Sequence, residues 1–489
     1  MGKDNAKRSA LASVLEVASS LLGEPVAPGD NLFDLGATSL IAIKLANRLS
    51  ERHDVDLAPA RVLRAQTPAA IAAVVDALPV RESAGAAEGR WDYGLPLSQF
   101  MAYRVALDDP RDDAHLLRRL YWLEGELDTG ALAGALDVVT SWHDALRTRI
   151  LDGPRPVVDP PGSAGPVCTV GTGTAADARR FLLRDFDLAN EIPIRARLTE
   201  LGDHRFLLAI SVHHIAYDGW SEQILLRDLA TAYTALAAGE PPAERQPTSY
   251  YRAIAVQESR QAAELRAARR YWREQLAGAT ALPFGDPRDE VGPGVTVPAA
   301  LPGGRSATAA ELLAAYAGAL HDVTGARDVL VNVPVAGRSV PEVENVIGCF
   351  PWAAAVRFPD AAAPAGELVE TAAERLRAAL ASPPMPISAF YQPPPAGVTR
   401  SPLLQATFEF HVYAVATLDL PGVRCTGRER LSAAKTWHDV ALEVWPEPGA
   451  HAQLRYRTDV LSAAEARRLA TAWTSRLQVR DLGVGVAAH

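Results

Sequence analysis

The chain has 489 residues, 48% hydrophobic and 22% charged, and a formal net charge of -9. Such a composition belongs to a globular protein of two to four domains, and its negative balance, without a dense Lys/Arg run, argues against a nucleic-acid surface. The three cysteines, Cys168, Cys349 and Cys425, are too widely spaced for a zinc or redox motif; with no signal peptide and no apolar run long enough for a bilayer, a cytoplasmic protein without membrane partners is expected.

Residues 1–80 read as a small helical domain. Leu11, Val14, Leu15, Ala18, Leu21 and Leu22 recur at 3/4 spacing and predict an amphipathic helix. The loop "GEPVAPGD" follows, and a second helix is expected from about Ser39, with Ile41, Leu45 and Leu49 on one face. Thr67-Pro68 supplies an N-cap and a first-turn proline for a last helix through Ile71, Val74, Val75 and Leu78. The polar, small-residue stretch 81–94 has linker composition.

From Leu95 the pattern changes. Strand-like runs ("HRFLLAISVHH", "DVLVNVPVAG") alternate with helical ones ("SEQILLRDLATAYTALAAG"), which predicts an α/β body large enough for two lobes. The Pro/Gly-rich stretch "LPFGDPRDEVGPGVTVPAALPGG" is the natural lobe boundary. Expected spans are 95–280 and 281–489.

Two sites carry chemistry. In "DNLFDLGATSLIAIKL", Ser39 stands at a loop-to-helix junction, where a serine commonly serves as a cap. Gly36 gives the backbone freedom just before it, Leu35 and Leu40 anchor the turn, and a helix N-terminus favours a phosphodiester through its dipole and free N–H groups. In "SVHHIAYDGWS", His213 and His214 fall at the end of an apolar strand, Asp218-Gly219 signals a turn, and Ser221 is placed to cap the following helix. Neighbouring residues on a strand point to opposite faces, so one histidine is expected to face structure and the other a cavity. Metal binding needs three or four convergent ligands, which the motif lacks; no metal is expected. The remaining readings are two satisfied buried histidines or general acid–base work, for which imidazole is matched at neutral pH.

The stretch "DNLFDLGATSL" within its helical unit resembles the thiolation (peptidyl carrier) domains of nonribosomal peptide synthetases. The resemblance implies that Ser39 carries a covalent 4′-phosphopantetheine. "HHIAYDG" fits the HHxxxDG motif of condensation domains, the amide-forming units of the same synthetases. Other segments match in order. "LPLSQFMAYRV" is similar to the opening motif, with Gln99-Phe100 in place of Ala-Gln. "SWHDALRTRI" resembles Arg-His-Glu-x-Leu-Arg-Thr, with Trp142 and Asp144 as departures. "YYRAIAVQ" and "YWREQL" resemble the fourth motif, and "VNVPVAGRSVPEVENVIGCFPW" the fifth, departing at Gly348-Cys349-Phe350-Pro351-Trp352. Of the sixth only Arg400, Pro402, Leu403 and Gln405 of a following pattern remain.

The implied fold is a small all-α four-helix carrier domain followed by an α/β two-lobed, chloramphenicol-acetyltransferase-like condensation domain. The implied roles are His214 as catalytic histidine, His213 as its support, and Asp218 as a structural acid paired with Arg338. Gly219 would bring the backbone close to the reacting centre, and Arg147 would serve in an ion pair or directly. The implied reaction is attack of a carrier-bound aminoacyl amine on a peptidyl thioester held at Ser39, His214 accepting the amine's proton or stabilising the zwitterionic intermediate. A catalytically silent recruitment module, an epimerase, and an acyltransferase using a free amine or alcohol are the alternatives. "DGWSEQILLRDL" resembles the type that takes an L-configured donor. Implied partners are a downstream aminoacyl carrier, upstream adenylation and condensation modules, and a phosphopantetheinyl transferase. With no adenylation domain, the chain is expected to be a fragment of a larger synthetase or a small protein working with partners; the start "MGKDNAK" and an end just past the last helix favour excision.

Overall fold

The computed structural model describes residues 9–37, 39–79, 94–108, 113–245, 248–261, 265–285, 291–301, 307–382, 401–411, 417–445 and 450–478. Nearly all of the expected linker 81–94, both chain ends, and the stretch 383–400 with Arg400 lie outside them.

Four helices, Ala10–Leu22, Ser39–His53, Pro59–Ala65 and Pro68–Ala77, build the N-terminal unit. Ser9 caps the first by accepting the Ala12 N–H, and Gly23 ends it in the left-handed region at φ 78°. Thr67 caps the fourth through Ala70 N–H, with Pro68 in its first turn. The apolar stripes meet in a core of Val14, Ala18, Leu45, Leu49, Ile71 and Val75, and each large aliphatic side chain buried there stabilises by roughly 1.5–3 kcal/mol.

The remainder is built on two large sheets. The first has the order Val423–Arg430, Leu116–Gly125, Arg205–His213, Ile194–Gly202, Cys168–Thr172. Its pairs are antiparallel except the last. Helices Thr129–Trp142 and Ser221–Ala237 bury Leu132, Leu136, Val139, Leu225 and Leu229 with Leu198, Leu208 and Ile210 of the strands. Helix Ala175–Leu182 contributes Ala178 and Leu182 to a separate cluster with Leu120, Leu207 and Ala209, the alternate residues of those strands.

The second sheet has the order Lys435–Thr436, Gly292–Ala299, His451–Arg457, Val440–Trp445, Ala406–Phe410, Val329–Val335, Trp352–Phe358. Helices Ala309–Thr324, Ala365–Leu380 and Ala463–Gln478 pack on the face that carries Phe408, Leu442 and Leu454. Trp473 is fully buried there, its indole N–H donating to the Leu312 carbonyl at 3.1 Å.

The C-terminal half is not a self-contained lobe. Its strand Val423–Arg430 crosses to the first sheet and pairs with Leu116–Gly125, Arg430 opposite Arg119. Period-2 patterning marks a strand but does not say which sheet edge it will cover. Among the described residues no helix is long and apolar enough to cross a membrane.

Candidate active site

His213 is the last residue of its strand, paired in register with Leu116, and His214 opens a single 3-10 turn, His214–Ala216. The strand therefore ends between the two histidines, and their surroundings differ. His213 is 4% exposed; its Nδ1 accepts the Ile215 N–H at 3.1 Å and its ring meets Phe186 edge-on. Burial, then the charges of His115, His214 and Arg195, hold its imidazole well below the usual range, so it is a neutral, structural histidine.

His214 is half-buried, and its backbone N–H donates to the His115 carbonyl at 2.7 Å. Burial first and the neighbouring His115 second push its imidazole down. The ring's hydrogen bond to its own backbone carbonyl, and the carboxylates of Asp218 and Glu409, pull the other way. The outcome is a neutral imidazole able to accept a proton at pH 7.

Asp218 and Arg338 form the ion pair that fixes this turn. The Arg338 Nη2 donates to Oδ1 and Oδ2 of Asp218 at 2.9 and 3.0 Å, with side chains 0% and 2% exposed. Asp218 Oδ1 also accepts the Ser221 N–H at 2.8 Å and its hydroxyl at 2.7 Å, and Oδ2 accepts the Phe350 N–H at 3.3 Å. Arg338 Nη1 donates to the carbonyls of Val343 and Val346, and its guanidinium lies over the Phe350 ring, 4.2 Å from the centroid. A buried ion pair needs such partners to offset desolvation, although the buried Arg338 Nε itself has none among the described residues. Gly337 permits the approach: its φ is 69°, and a Cβ there would stand 1.9 Å from the Phe350 carbonyl oxygen.

One sequence expectation is corrected. Ser221 does not cap its helix; it is the first helical residue, and Asp218 three positions earlier accepts its N–H. The Ser221 hydroxyl instead bridges Asp218 and the Gly348 carbonyl, the latter at 3.1 Å.

The other motif residues are supports. Gln99, 1% exposed, donates from Nε2 to the Ile215 carbonyl at 2.8 Å and ties helix Leu97–Asp108 to the turn. Tyr250 and Ser98 hydroxyls both donate to the Cys349 carbonyl. Arg147, 8% exposed, donates to the Asp159 carbonyl, and Asp144 accepts the Tyr250 N–H at 2.8 Å. Gly219 is exposed on the turn and is not in the left-handed region.

Several residues at the site were given no role by the sequence. The Cys349 thiol sits 3.7 Å from His214 Nδ1, and burial pushes it far above the usual thiol range, so it is a neutral neighbour and not a thiolate. The His115 ring centroid is 6.0 Å from that of His214 and 6.2 Å from that of His213. Trp437, from the second sheet's side, meets His115 edge-on at 5.0 Å. Sequence spacing gives no sign of these, because His115 and Trp437 come from distant segments that meet only when the lobes face each other.

The N-terminal unit lies against this body. Ile43 of helix Ser39–His53 enters the first sheet's apolar core. Asn47 Nδ2 donates to Glu344 Oε2 at 2.9 Å, and Lys44 Nζ lies 5.9 Å from the Trp220 ring centroid. Arg260 pairs with Asp56 at 3.2 Å, and Arg64 donates to the Ala381 carbonyl at 2.6 Å. A cavity of about 170 Å³ lies at this junction, lined by Leu57, Pro59, Arg61, Val335, Trp352 and Leu380 among others. Ser39 is the first residue of its 15-residue helix, after Gly36 at φ 90°, and the first turn holds no acidic residue. A helix N-terminus whose first turn is free of acidic residues fits a phosphate group.

Comparison with known proteins bears on both parts. The family model described as Condensation domain matches residues 102–292 and 306–479, and that described as Phosphopantetheine attachment site matches 12–75. The chain is 30% identical to the probable non-canonical nonribosomal peptide synthetase CymA of Salinispora arenicola over 86% of its own length and 6% of that protein's. It is 29% identical to malpinin synthetase of Mortierella alpina over 91% of its own length and again 6% of the relative's. The chain thus spans a small fraction of these relatives. Among solved structures, the complex of the X-domain and OxyB from teicoplanin biosynthesis superposes with a TM-score of 0.67 at 24% identity, covering 82% of this chain and 96% of the matched one. The first condensation domain of the calcium-dependent antibiotic synthetase, in complex with a substrate analogue, gives 0.65 at 22%, covering 81% and 97%. These two likenesses establish a shared fold.

Proposed function

We propose a function for a chain that belongs to the condensation-domain family and carries a phosphopantetheine-attachment domain ahead of it: it forms an amide bond between an acyl group delivered by its own carrier and the amine of an aminoacyl group on a downstream carrier. The observation that carries this reading is the neutral His214 imidazole on a turn held by the buried Asp218–Arg338 pair. When bound, 4′-phosphopantetheine supplies the thiol on which the acyl group is held as a thioester, and Ser39 is its attachment point.

The work of the chain's own residues follows from the geometry. His214 takes the proton that the amine loses as it attacks the acyl carbon and gives it to the sulfur that leaves as the C–S bond breaks, a contribution of about 10²–10⁴-fold. Asp218 and Arg338 keep the turn in place, so the imidazole need not reorganise. His213 supports the turn from the buried side, Arg147 holds the segment before the strand that follows it, and Gly219 keeps the approach to the turn free of a side chain. Holding two acyl partners together adds effective concentration.

In this proposal residues 1–80 are the carrier, 95–280 the N-lobe and 281–489 the C-lobe apart from the crossing strand. The partners are a downstream aminoacyl carrier, upstream adenylation and condensation modules, and a phosphopantetheinyl transferase, all in the cytoplasm. The test is intact-protein mass spectrometry. The carrier is loaded at Ser39 with a peptidyl-phosphopantetheine, a downstream aminoacyl carrier is added, and both masses are followed. The proposal expects the peptide mass to move to the acceptor with wild type and not with His214→Ala. Full loading with no transfer to any acceptor, in wild type as in the variant, would favour a recruitment module.

A further inference from the structure

Helix Ser39–His53 serves two cores at once. Ala42, Leu45, Ala46 and Leu49 fill the carrier's own core. Ile43 and Asn47, one turn apart on another face, are 8% and 0% exposed and are covered by the body. Ile43 belongs to the cluster that holds Trp220 and Ile347. The hydrogen bond of the Asn47 side chain leaves the carrier altogether: Nδ2 donates to Glu344 Oε2 at 2.9 Å, 297 residues away in sequence.

The receiving segment is the one that holds the His214 turn. The carbonyls of Val343 and Val346 accept from Arg338, which pairs with Asp218. Between them, the Glu344 carbonyl accepts the Trp220 indole N–H at 3.0 Å, and its carboxylate accepts from the carrier. Further contacts surround this one. The carrier donates again at Arg64, to the Ala381 carbonyl at 2.6 Å, and accepts at Asp56, from Arg260 at 3.2 Å. Polar contacts of unlike sense around one apolar anchor, Ile43, fit a single orientation of the carrier.

We propose that this contact is the position from which the carrier delivers its acyl group, and that Asn47 with Glu344 is the pair that recognises the carrier there. This rests on the amide-forming reading above, which makes the carrier the acyl donor. An amide at position 47 offers an N–H to a half-buried carboxylate without bringing a charge of its own. A carrier with a carboxylate at that place would set like charges against each other and be rejected. Ser39 lies one turn, about 6 Å along the helix, before Ile43, and Ile43 shares its cluster with Trp220, which directly follows Gly219. The carrier is therefore read beside the turn on which its acyl group is used.

The experiment uses the whole chain and two donors of the same acyl group: the group loaded at Ser39, with loading checked by intact mass, and its N-acetylcysteamine thioester supplied in solution to the unloaded chain. The downstream aminoacyl carrier is the acceptor in both. Asn47→Asp should slow transfer from the loaded carrier by about tenfold or more and leave transfer from the soluble donor unchanged. Adding Glu344→Gln to Asn47→Asp exchanges the amide and the carboxylate, and should restore most of the loss. A wild-type rate from the loaded carrier in Asn47→Asp, an equal loss with both donors, or no recovery in the double variant overturns the proposal. If wild type makes no amide from either donor, the amide-forming reading falls and amide hydrogen exchange of helix Ser39–His53 decides the contact. Faster exchange in Asn47→Asp, reversed in the double variant, keeps the recognition pair; unchanged exchange overturns it. Should Asn47→Asp fail to fold, Glu344→Ala takes its place. Slower transfer from the loaded carrier alone then supports the pair, and slower transfer from both donors or from neither overturns it.

Discussion

Asp218 with Arg338 and Glu409 with His411 are two acid–base pairs, one beneath the His214 turn and one on the second sheet, and they are built to opposite ends. The first is sealed: both side chains are at most 2% exposed, and the carboxylate accepts from a guanidinium, a hydroxyl and backbone N–H groups. The second is open, with 26% of the glutamate and 24% of the histidine side chain accessible. A sealed pair has no capacity left for a substrate and acts by fixing backbone. An open pair with an imidazole partner still has a charge to offer. Burial of a charge near a reacting histidine therefore does not by itself mark a catalytic role; the number of its partners already inside the protein decides.

The comparison breaks most readily at Arg338. Arg338→Met leaves Asp218 as an uncompensated buried charge, and the chain should lose about 3–5 kcal/mol of stability together with transfer activity; chemical denaturation followed alongside the transfer assay checks it. A loss of activity with unchanged stability would mean that Arg338 meets substrate. Next in size is Gln99→Leu, which strips the Ile215 carbonyl of its buried donor. It should cost about 1–3 kcal/mol and loosen the His214 turn, visible as faster amide hydrogen exchange there. His213 sharpens the same contrast through pH. Its folded-state imidazole is held well below the usual value. Below about 6.5 the unfolded chain takes up a proton that the folded chain refuses, so stability should fall with decreasing pH by up to about 1.4 kcal/mol per unit. His213→Gln should flatten that slope in denaturation curves recorded from pH 7 to 5. The smallest effect belongs to the carrier junction. Arg260→Ala removes partly exposed pairs with Asp56 and with Glu342, should cost no more than about 1 kcal/mol for each, and should cost less in high salt.

What the sequence made legible followed from local rules. Periodicity marked three of the four carrier helices, and Thr67-Pro68 marked the start of the last, whereas the short helix Pro59–Ala65 and the Ser9 cap came only with the structure. The strand end between His213 and His214 was foreseeable because an apolar run meets a turn signal there. The Asp218–Arg338 pair, 120 residues apart, was reachable only through the family resemblance, since spacing holds no record of it. Cys349 and His115 were not foreseen as neighbours of His214, nor Trp437 as the neighbour of His115. Each has an ordinary local role in its own segment, and their meeting depends on how two sheets face one another. Ser221 misled because a serine before a helical run usually caps it, and here a carboxylate three residues earlier had the better geometry.

The most direct test of the central claim is the pH dependence of single-turnover acyl transfer, measured for wild type and His214→Gln. His214 is held below the usual imidazole range by burial and by His115. Protonation of the acceptor amine lowers the rate below about pH 8 in both proteins; the account predicts for wild type a second, steeper acidic limb below about 6.5, and for the variant a rate about 10²–10⁴-fold lower without that second limb. A second limb of the same position and depth in His214→Gln would contradict it, because the titrating base would then be some other group.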